Sequence, residues 1–574
     1  MKEQRREEKG ITLVALVVTI IVLIILAGVT LNIVLDNDGI INKAKQAAED
    51  YENSQKEEDE LLAEIEKNMG IIEKVTDSNP GELEVDENDS NLLYINSIED
   101  LVGLSNKVNN GETFAGKTIK LNYHLDFNSD KSYVDANQKI NLTTGEGFIP
   151  IGNNVTEIKD ENGYTLDIEG KYFSGTFDGN GYTIYNLYQN LSNNMVGGLF
   201  GTTHNATIKN VKLTGAVTCT QNEPQMLYVG GLIGYQYSGT TTDCVVDITV
   251  TGKHSQDNEF FIGGIIGDIG PIYTETETKK GGSILNCINK GKVIAKAESS
   301  SENITQMILD IGGVVGGAFA NSTLENLRNQ GNIEFQNDTP ITRIYMGGCT
   351  GHVNRHKIMN NLINEGKITQ KGDITEDIFI GGISGTMGRI LSNYSEQLKD
   401  TKNLFNFGEI SSEIGNVTPS ELEIGGITGR LSDGVNLYNA GNVGNITLIK
   451  GNASNQKIAG IVGYMASEES TINNVYNRGK FNVPNNEVSG ITYTMSANCA
   501  LLNAYYNNDG VNRGTATTTG ITDKSISKTE SEMKSQDFVD LLNNPVEEIT
   551  GIEGLLEWKL GTEKYPVLSA NYIT

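Results

Sequence analysis

Tryptophan occurs once in these 574 residues, histidine and cysteine five times each and proline nine times. Each scarcity closes off a class of protein. So few prolines exclude collagen and proline-rich linkers. The cysteines Cys219, Cys244, Cys287, Cys349 and Cys499 contain no Cys-x-x-Cys pair, so neither a zinc ribbon nor a dense disulfide framework is encoded. They read as buried thiols acting as small apolar residues. Of His124, His204, His254, His352 and His356, none is followed by glutamate, which removes the His-Glu-x-x-His zinc-peptidase helix. His352 and His356 have the spacing of helical metal ligands, but Val353 stands in place of the general base and the surroundings read as strand or coil. No metal and no cofactor are expected. No Gly-x-Ser-x-Gly nucleophile elbow occurs, and Ser384 and Ser489 fall inside repeats. Basic residues are short as well: 44 Lys and Arg face 73 Asp and Glu, a net charge of −29. Nucleic acid is therefore not an expected partner.

Glycine, by contrast, is abundant at 65 residues, and its positions carry the architecture. A motif of apolar residue, Gly-Gly, apolar residue, any residue, Gly starts at positions 196, 229, 262, 311, 346, 380 and 424, with degenerate copies at 458 and 488. The second glycines of these rungs are Gly198, Gly231, Gly264, Gly313, Gly348, Gly382, Gly426, Gly460 and Gly490, spaced by 33, 33, 49, 35, 34, 44, 34 and 30 residues. Periods of about 20–50 residues signal a solenoid, propeller or array. Between rungs lies a second landmark: IKNVKLTG at 208, LNCINKG at 285, ENLRNQG at 325, NNLINEG at 360, KNLFNFG at 402, VNLYNAG at 435 and NNVYNRG at 473, with Asp243-Cys244 as a weaker copy. Stacked in register, these asparagine amides bond to their equivalents above and below while the apolar residue between them points inward. Stacked parallel coils give that arrangement and propeller blades do not. Nine Gly-Gly-x-x-Gly copies, none followed by Lys-Ser or Lys-Thr, are not phosphate loops. Their glycines permit either positive φ or close approach of backbone between coils. The fold class expected is mainly β: a parallel β-solenoid (β-helix) with capping elements, preceded by an N-terminal transmembrane or pilin-like α-helix.

The boundaries follow. Residues 1–10 form a charged leader and 11–35 an apolar run without an ionisable side chain, long enough for a spanning helix of about 20 residues. Lys2, Arg5, Arg6 and Lys9 before the run and Asp36 and Asp38 after it place the N-terminus in the cytoplasm and the C-terminal bulk outside a bacterial cell membrane, as a single-pass protein. Residues 36–74 read as an amphipathic helix, 75–91 as an acidic linker, 92–195 as a cap with first coils closed by the turn at 178–181, 196–510 as the repeats, and 511–574 as a closing unit with Trp558 in its core.

Two resemblances add to this. The junction Lys9-Gly10-Ile11-Thr12-Leu13 resembles the processing site of type IV prepilins and pseudopilins, which implies cleavage after Gly10 by a prepilin peptidase, methylation of Ile11 and pilin-like assembly, including a minor pseudopilin role in a type II secretion or type IV pilus-like system. Ala15 stands where that family usually has a glutamate. The rungs resemble the GLUG repeats of bacterial surface proteins, which implies an exported, adhesin-like, right-handed β-solenoid, a family sometimes accompanied by metallopeptidases that cleave immunoglobulin A.

The gap from rung glycine to asparagine landmark is 12 or 13 residues in most coils, but 22 from Gly264 to Asn286 and 21 from Gly382 to Asn403. The two insertions, 267–283 and 385–402, are expected on one side of the solenoid. Tyr273, Arg389 and Tyr394 are their candidate contact residues, for a surface glycan or a protein of a host or neighbouring cell. The functional expectation is adhesion or structural display without catalysis. The alternative is a carbohydrate-active β-helix, lyase or glycosidase, because paired carboxylates on a solenoid face cleave glycosides. Asp126 to Asp130 imitate the start of a calcium loop, but Lys131 replaces its glycine and Asn137 its glutamate, so a solvated turn is expected there.

Overall fold

At each rung the chain must turn where no side chain can stand, and the coil is built around that restriction. The computed structural model describes residues 81–128, 132–134, 139–159, 165–270, 281–298, 306–319, 321–354, 356–388, 400–484 and 487–569. These lie in the second of two units, residues 79–574. In the coil of Gly313 four strands follow one another: Ile308–Gly312 leads into the rung, Val315–Phe319 leaves it, and Thr323–Asn329 and Ile333–Asn337 complete the circuit. Each pairs in parallel with its equivalent in the next coil, Ile311 opposite Met346, Val315 opposite Thr350, Leu327 opposite Leu362 and Ile333 opposite Ile368. The leading strands form an eight-stranded sheet and the leaving strands a nine-stranded one, here called the first and second faces. The third and fourth faces join in one 24-stranded sheet. The expected parallel β-solenoid is what the repeats form. Leu309, Ile311, Val314, Val315, Leu324, Leu327, Ile333 and Phe335 of this coil point inside at 1% exposure or less, each burial worth about 1.5–3 kcal/mol.

The second asparagine of each landmark points into the coil and stacks. Asn289, Asn329, Asn364, Asn406, Asn442 and Asn477 are buried, and each Nδ2 donates to Oδ1 of the next at 2.8–2.9 Å. Each also closes its own turn: Asn364 Nδ2 donates to Gly366 O at 2.9 Å and accepts Gly366 N–H on Oδ1 at 3.1 Å. Across the coil the rung glycine packs directly on this column. A Cβ on Gly348 would stand 2.0 Å from Gly382 O and 2.3 Å from Asn364 Cγ. Close approach is thus what demands glycine. Among the second rung glycines positive φ occurs only at Gly198. The left-handed turn falls instead on the first asparagine of each landmark, with φ of 54–60° at Asn286, Asn326, Asn361, Asn403, Asn439 and Asn474, a residue that tolerates that conformation. One landmark is re-registered: the copy expected at 435–441 lies three residues on, with Asn439 and Asn442 opposite Asn403 and Asn406.

Helix α1, Ile98–Asn109, starts at a Ser97 N-cap with a reciprocal Asp100 capping box and buries Ile98, Leu101, Leu104 and Val108. It connects Leu92–Ile95 to Thr118–Leu121, which pairs with Thr176–Asp178 and so opens the third face. Within 75–91, Glu84–Val85 pairs antiparallel with Leu92–Ile95. At the other end Thr522–Lys528 adds a parallel strand to Ala500–Asn507. The chain then turns back along the flank as α2, Glu530–Met533, α3, Gln536–Asn543, and a hairpin of Trp558–Leu560 with Pro566–Leu568. Phe538, Leu542, Trp558 and Tyr565 form a second core there with Ile363, Phe405, Tyr476 and Tyr505 of the third face.

The expected single-pass membrane localisation is corrected. Among the described residues no helix is long and apolar enough to cross a membrane; α1, with 12 residues, reaches about 18 Å against a hydrocarbon core of about 30 Å. The leader with Gly10 and Ile11, the run at 11–35 and the helix expected at 36–74 lie outside the described residues.

The inner column predicts an asymmetric mutational response. Asn364→Leu orphans the buried N–H and C=O of Gly366 and is expected to cost more than about 3 kcal/mol, whereas Asn326→Gly on the exposed column costs under about 1 kcal/mol. Denaturant unfolding of the two variants checks the difference.

Candidate functional site

The left-handed asparagines form a second column, on the outside of the corner where each third-face strand bends. Asn286 Nδ2 donates to Asp243 Oδ1 at 3.0 Å, Asn326 to Asn286 and Asn361 to Asn326 at 2.8 Å, Asn439 to Asn403 at 2.7 Å and Asn474 to Asn439 at 3.0 Å. The second N–H of each amide points outward. From Asn403 to Asn503 the returning C-terminal segment takes it: Asn403 donates to Gly554 O, Asn439 to Leu556 O, Asn474 to Leu542 O and Asn503 to Glu547 O, at 2.8–3.0 Å. In return Leu556 N–H donates to Asn403 Oδ1 and Glu547 N–H to Asn503 Oδ1, both at 3.0 Å. Every one of these contacts is to main chain, so the column holds polypeptide without reading its side chains. No described residue makes such contacts to Asn361, Asn326 or Asn286.

On the opposite side the first and second faces meet at the inward-pointing rung, so their outer surfaces form the walls of a cleft. Two columns fill it. The residue just before each rung gives Tyr228, Phe261, Asp310, Tyr345, Phe379, Glu423 and Lys457; the residue just after gives Tyr235, Asp268, Gly317, His352, Thr386, Arg430 and Tyr464. They interlock across the cleft. Tyr228 stacks on Tyr235 with centroids 4.7 Å apart and on Phe261 at 5.2 Å. Tyr345 stacks on His352 at 4.4 Å and on Phe379 at 5.1 Å. Arg430 lies 4.6 Å over the Phe379 ring and forks onto the fully buried Glu423 with bonds of 2.6 and 2.7 Å. Lys457 Nζ reaches Glu423 at 3.0 Å and bonds Glu421 too. Arg343 binds Asp377 at 2.6 Å.

The one acid–imidazole pair here is Asp310 with His352, Oδ2 to Nδ1 3.4 Å, while Asp310 Oδ1 and His352 Nε2 are buried without partners. Burial pushes the Asp310 carboxyl above its ordinary range, against the pull of His352 and Arg343. That shift favours folding at low pH, and its contribution falls as pH rises above about 3.8. Among the described residues no group of three or more His, Cys, Asp and Glu is arranged to hold a metal.

The structure separates His352, in the cleft, from His356, which is buried and bonds Thr401 Oγ1 through Nε2 at 2.7 Å. Tyr273, Arg389 and Tyr394 lie outside the described residues. Both insertions leave a second-face strand, Ile266–Gly270 or Ser384–Met387, and rejoin the third face, at Ser283–Asn289 or Asp400–Asn406. Gly198 through Gly460 occupy the rungs; from Gly231 on their role is packing, and Gly198 also takes a positive φ. Sequence reasoning missed both cleft columns, although each sits at a fixed offset from the rung. It also missed the docking of the C-terminal segment, which no local pattern announces.

No family description and no curated protein matches the chain. A solved structure from Bacteroides ovatus, described as a "putative immunoglobulin A1 protease", is similar over 84% of this chain and 93% of its own, at 13% identity and a TM-score of 0.26. At that score the likeness carries no argument about fold or activity.

His356 supplies a pH test. Burial holds its imidazole down at about 4, against an ordinary 6.5, so between these values the unfolded chain binds a proton that the folded chain does not. Stability from this residue is full above pH 6.5 and is lost as pH falls toward 4. Between pH 7 and pH 5 the loss is about 2 kcal/mol. Denaturant unfolding at both pH values should show His356→Gln losing about that much less than the parent chain.

Proposed function

We propose that this protein is a binding and display protein, not an enzyme, whose β-solenoid offers its asparagine corner to an extended polypeptide of a partner. One observation carries this: the amides of the column already bond main-chain groups of the chain's own returning segment, Leu542 at the end of α3, Glu547, Gly554 and Leu556. The same column continues past that segment to Asn361, Asn326 and Asn286. Asn361 Oδ1 is buried without a partner, in the position where Asn403 Oδ1 receives the N–H of Leu556. An incoming strand supplies the missing donor, and a buried acceptor left unpaired costs about 1–3 kcal/mol. The resemblance of the rungs to GLUG repeats of adhesin-like surface proteins agrees with this reading.

A second reading, the carbohydrate-active enzyme, is favoured by the buried Asp310 beside His352. Incubation with a panel of polysaccharides separates the two: products that vanish in Asp310→Asn establish the enzyme, and no turnover favours display.

Panning a random-sequence peptide display library on the immobilised full chain tests the polypeptide site. The expected binders share no side-chain motif and lose about tenfold affinity or more for the triple variant Asn286→Gly, Asn326→Gly, Asn361→Gly, which keeps the left-handed backbone. No selected binder, or equal affinity for the variant, rejects the reading.

A further inference from the structure

The returning segment does not lie flat on the corner. It leaves a pocket of about 460 Å³ between Asn439 and Asn474 of the column, the end of α3, and residues 548–557, within the range of about 300–1,000 Å³ that small-molecule sites occupy. Two of its lining side chains carry unmet hydrogen-bonding capacity. Asn474 is 3% exposed and spends Nδ2 on Asn439 Oδ1 and Leu542 O, while its Oδ1 is buried without a partner. The reason lies in the column: Asn503, one coil on, gives its Nδ2 to Asn473 Oδ1 and Glu547 O. Trp558, also 3% exposed, fixes its main chain through Asn543 and packs its ring against Phe405 and Tyr476, yet its Nε1–H is buried without an acceptor.

We propose that this pocket binds a neutral, hydroxyl-rich small molecule of monosaccharide size. Asn474 Oδ1 needs a donor and Trp558 Nε1–H needs an acceptor, and a hydroxyl group serves as either. Leu542 and Leu556 offer the apolar face of a sugar ring something to lie on, and Glu548 and Glu557 at the mouth accept further hydroxyl protons. No Lys, Arg or His lines the pocket, so an anionic ligand would meet two carboxylates and no cation. This site goes beyond the polypeptide reading and does not depend on it. The open rungs Asn286, Asn326 and Asn361 take no part in it.

Trp558 is the sole tryptophan of the chain, so tryptophan emission of the intact protein comes from this one ring in the pocket lining. Glucose, galactose, mannose and N-acetylglucosamine are titrated separately into the full chain. At least one should shift or quench the emission saturably, and calorimetry with that sugar should show affinity about fivefold or more weaker in Trp558→Phe, which keeps the ring packing and removes the N–H. Asn474→Gly should weaken binding of the same sugar similarly while retaining the left-handed backbone. No saturable change with any of the four sugars overturns the proposal, and so does undiminished binding in Trp558→Phe.

Discussion

The structure depends on one contact repeated along the axis, a glycine backbone pressed against a buried asparagine amide. From Gly264 to Gly460 each rung glycine lacks the Cβ that would collide with the next coil's carbonyl and with the amide across the coil. Each amide in turn uses all its hydrogen-bonding capacity, donating to a turn carbonyl and the next amide, accepting a turn N–H and the previous amide. A polar side chain at the centre of a solenoid is tolerable only when so fully paired. The pairing also fixes register: a coil shifted by one residue would put an apolar side chain into the amide column and leave two neighbours unbonded. The column runs from Asn289 to Asn477, and Val246 and Tyr506 occupy its place in the coils beyond.

Because the rung is drawn inward to meet that column, the outer sides of the first and second faces become a cleft, and the cleft must be filled. Aromatic rings fill one part and ion pairs the other. Glu423 is fully buried, and two cations from neighbouring positions, Arg430 and Lys457, converge on it. Removing either leaves a buried charge half-compensated, which is the expensive way to break such a pair. Since its partners come from adjacent coils, Glu423 ties two coils together on the outside as the asparagines do on the inside.

Much of this was legible in sequence. The rung spacing gave the coils, and the landmark gave the stacked amides; what separated glycine's two possible roles was the distance to the amide, which no sequence period contains. The landmark at 435–441 was misplaced because Leu437-Tyr438-Asn439-Ala440-Gly441 imitates the pattern three residues early, and only pairing with Asn403 and Asn406 decides the register. The cleft residues flank every rung at constant offset, yet their types vary from tyrosine to aspartate to lysine. A column that conserves burial while changing chemistry does not read as a repeat. The fold-back of residues 529–568 is a long-range contact, set by Phe405, Tyr476 and Tyr505 standing outward on three coils, and outward aromatics on a strand carry no signal of what covers them.

The outer asparagine column differs from the inner one in being interrupted, and the interruptions coincide with the places open to binding. Asn403 donates to Asn360 where regular stacking would have chosen Asn361, and Asn503 donates to Asn473 where it would have chosen Asn474. Each skip leaves a buried carbonyl oxygen without a donor. The inner column has no such skip from Asn289 to Asn477, because there every amide is also held by its own Gly turn. On the outside the amides are tethered only by each other and by the C-terminal segment over them, and both skips fall at amides that the segment covers, Asn403 and Asn503. A repeat that is complete has nothing left to bind with; one whose stacking skips a residue keeps unmet acceptors at Asn361 and Asn474.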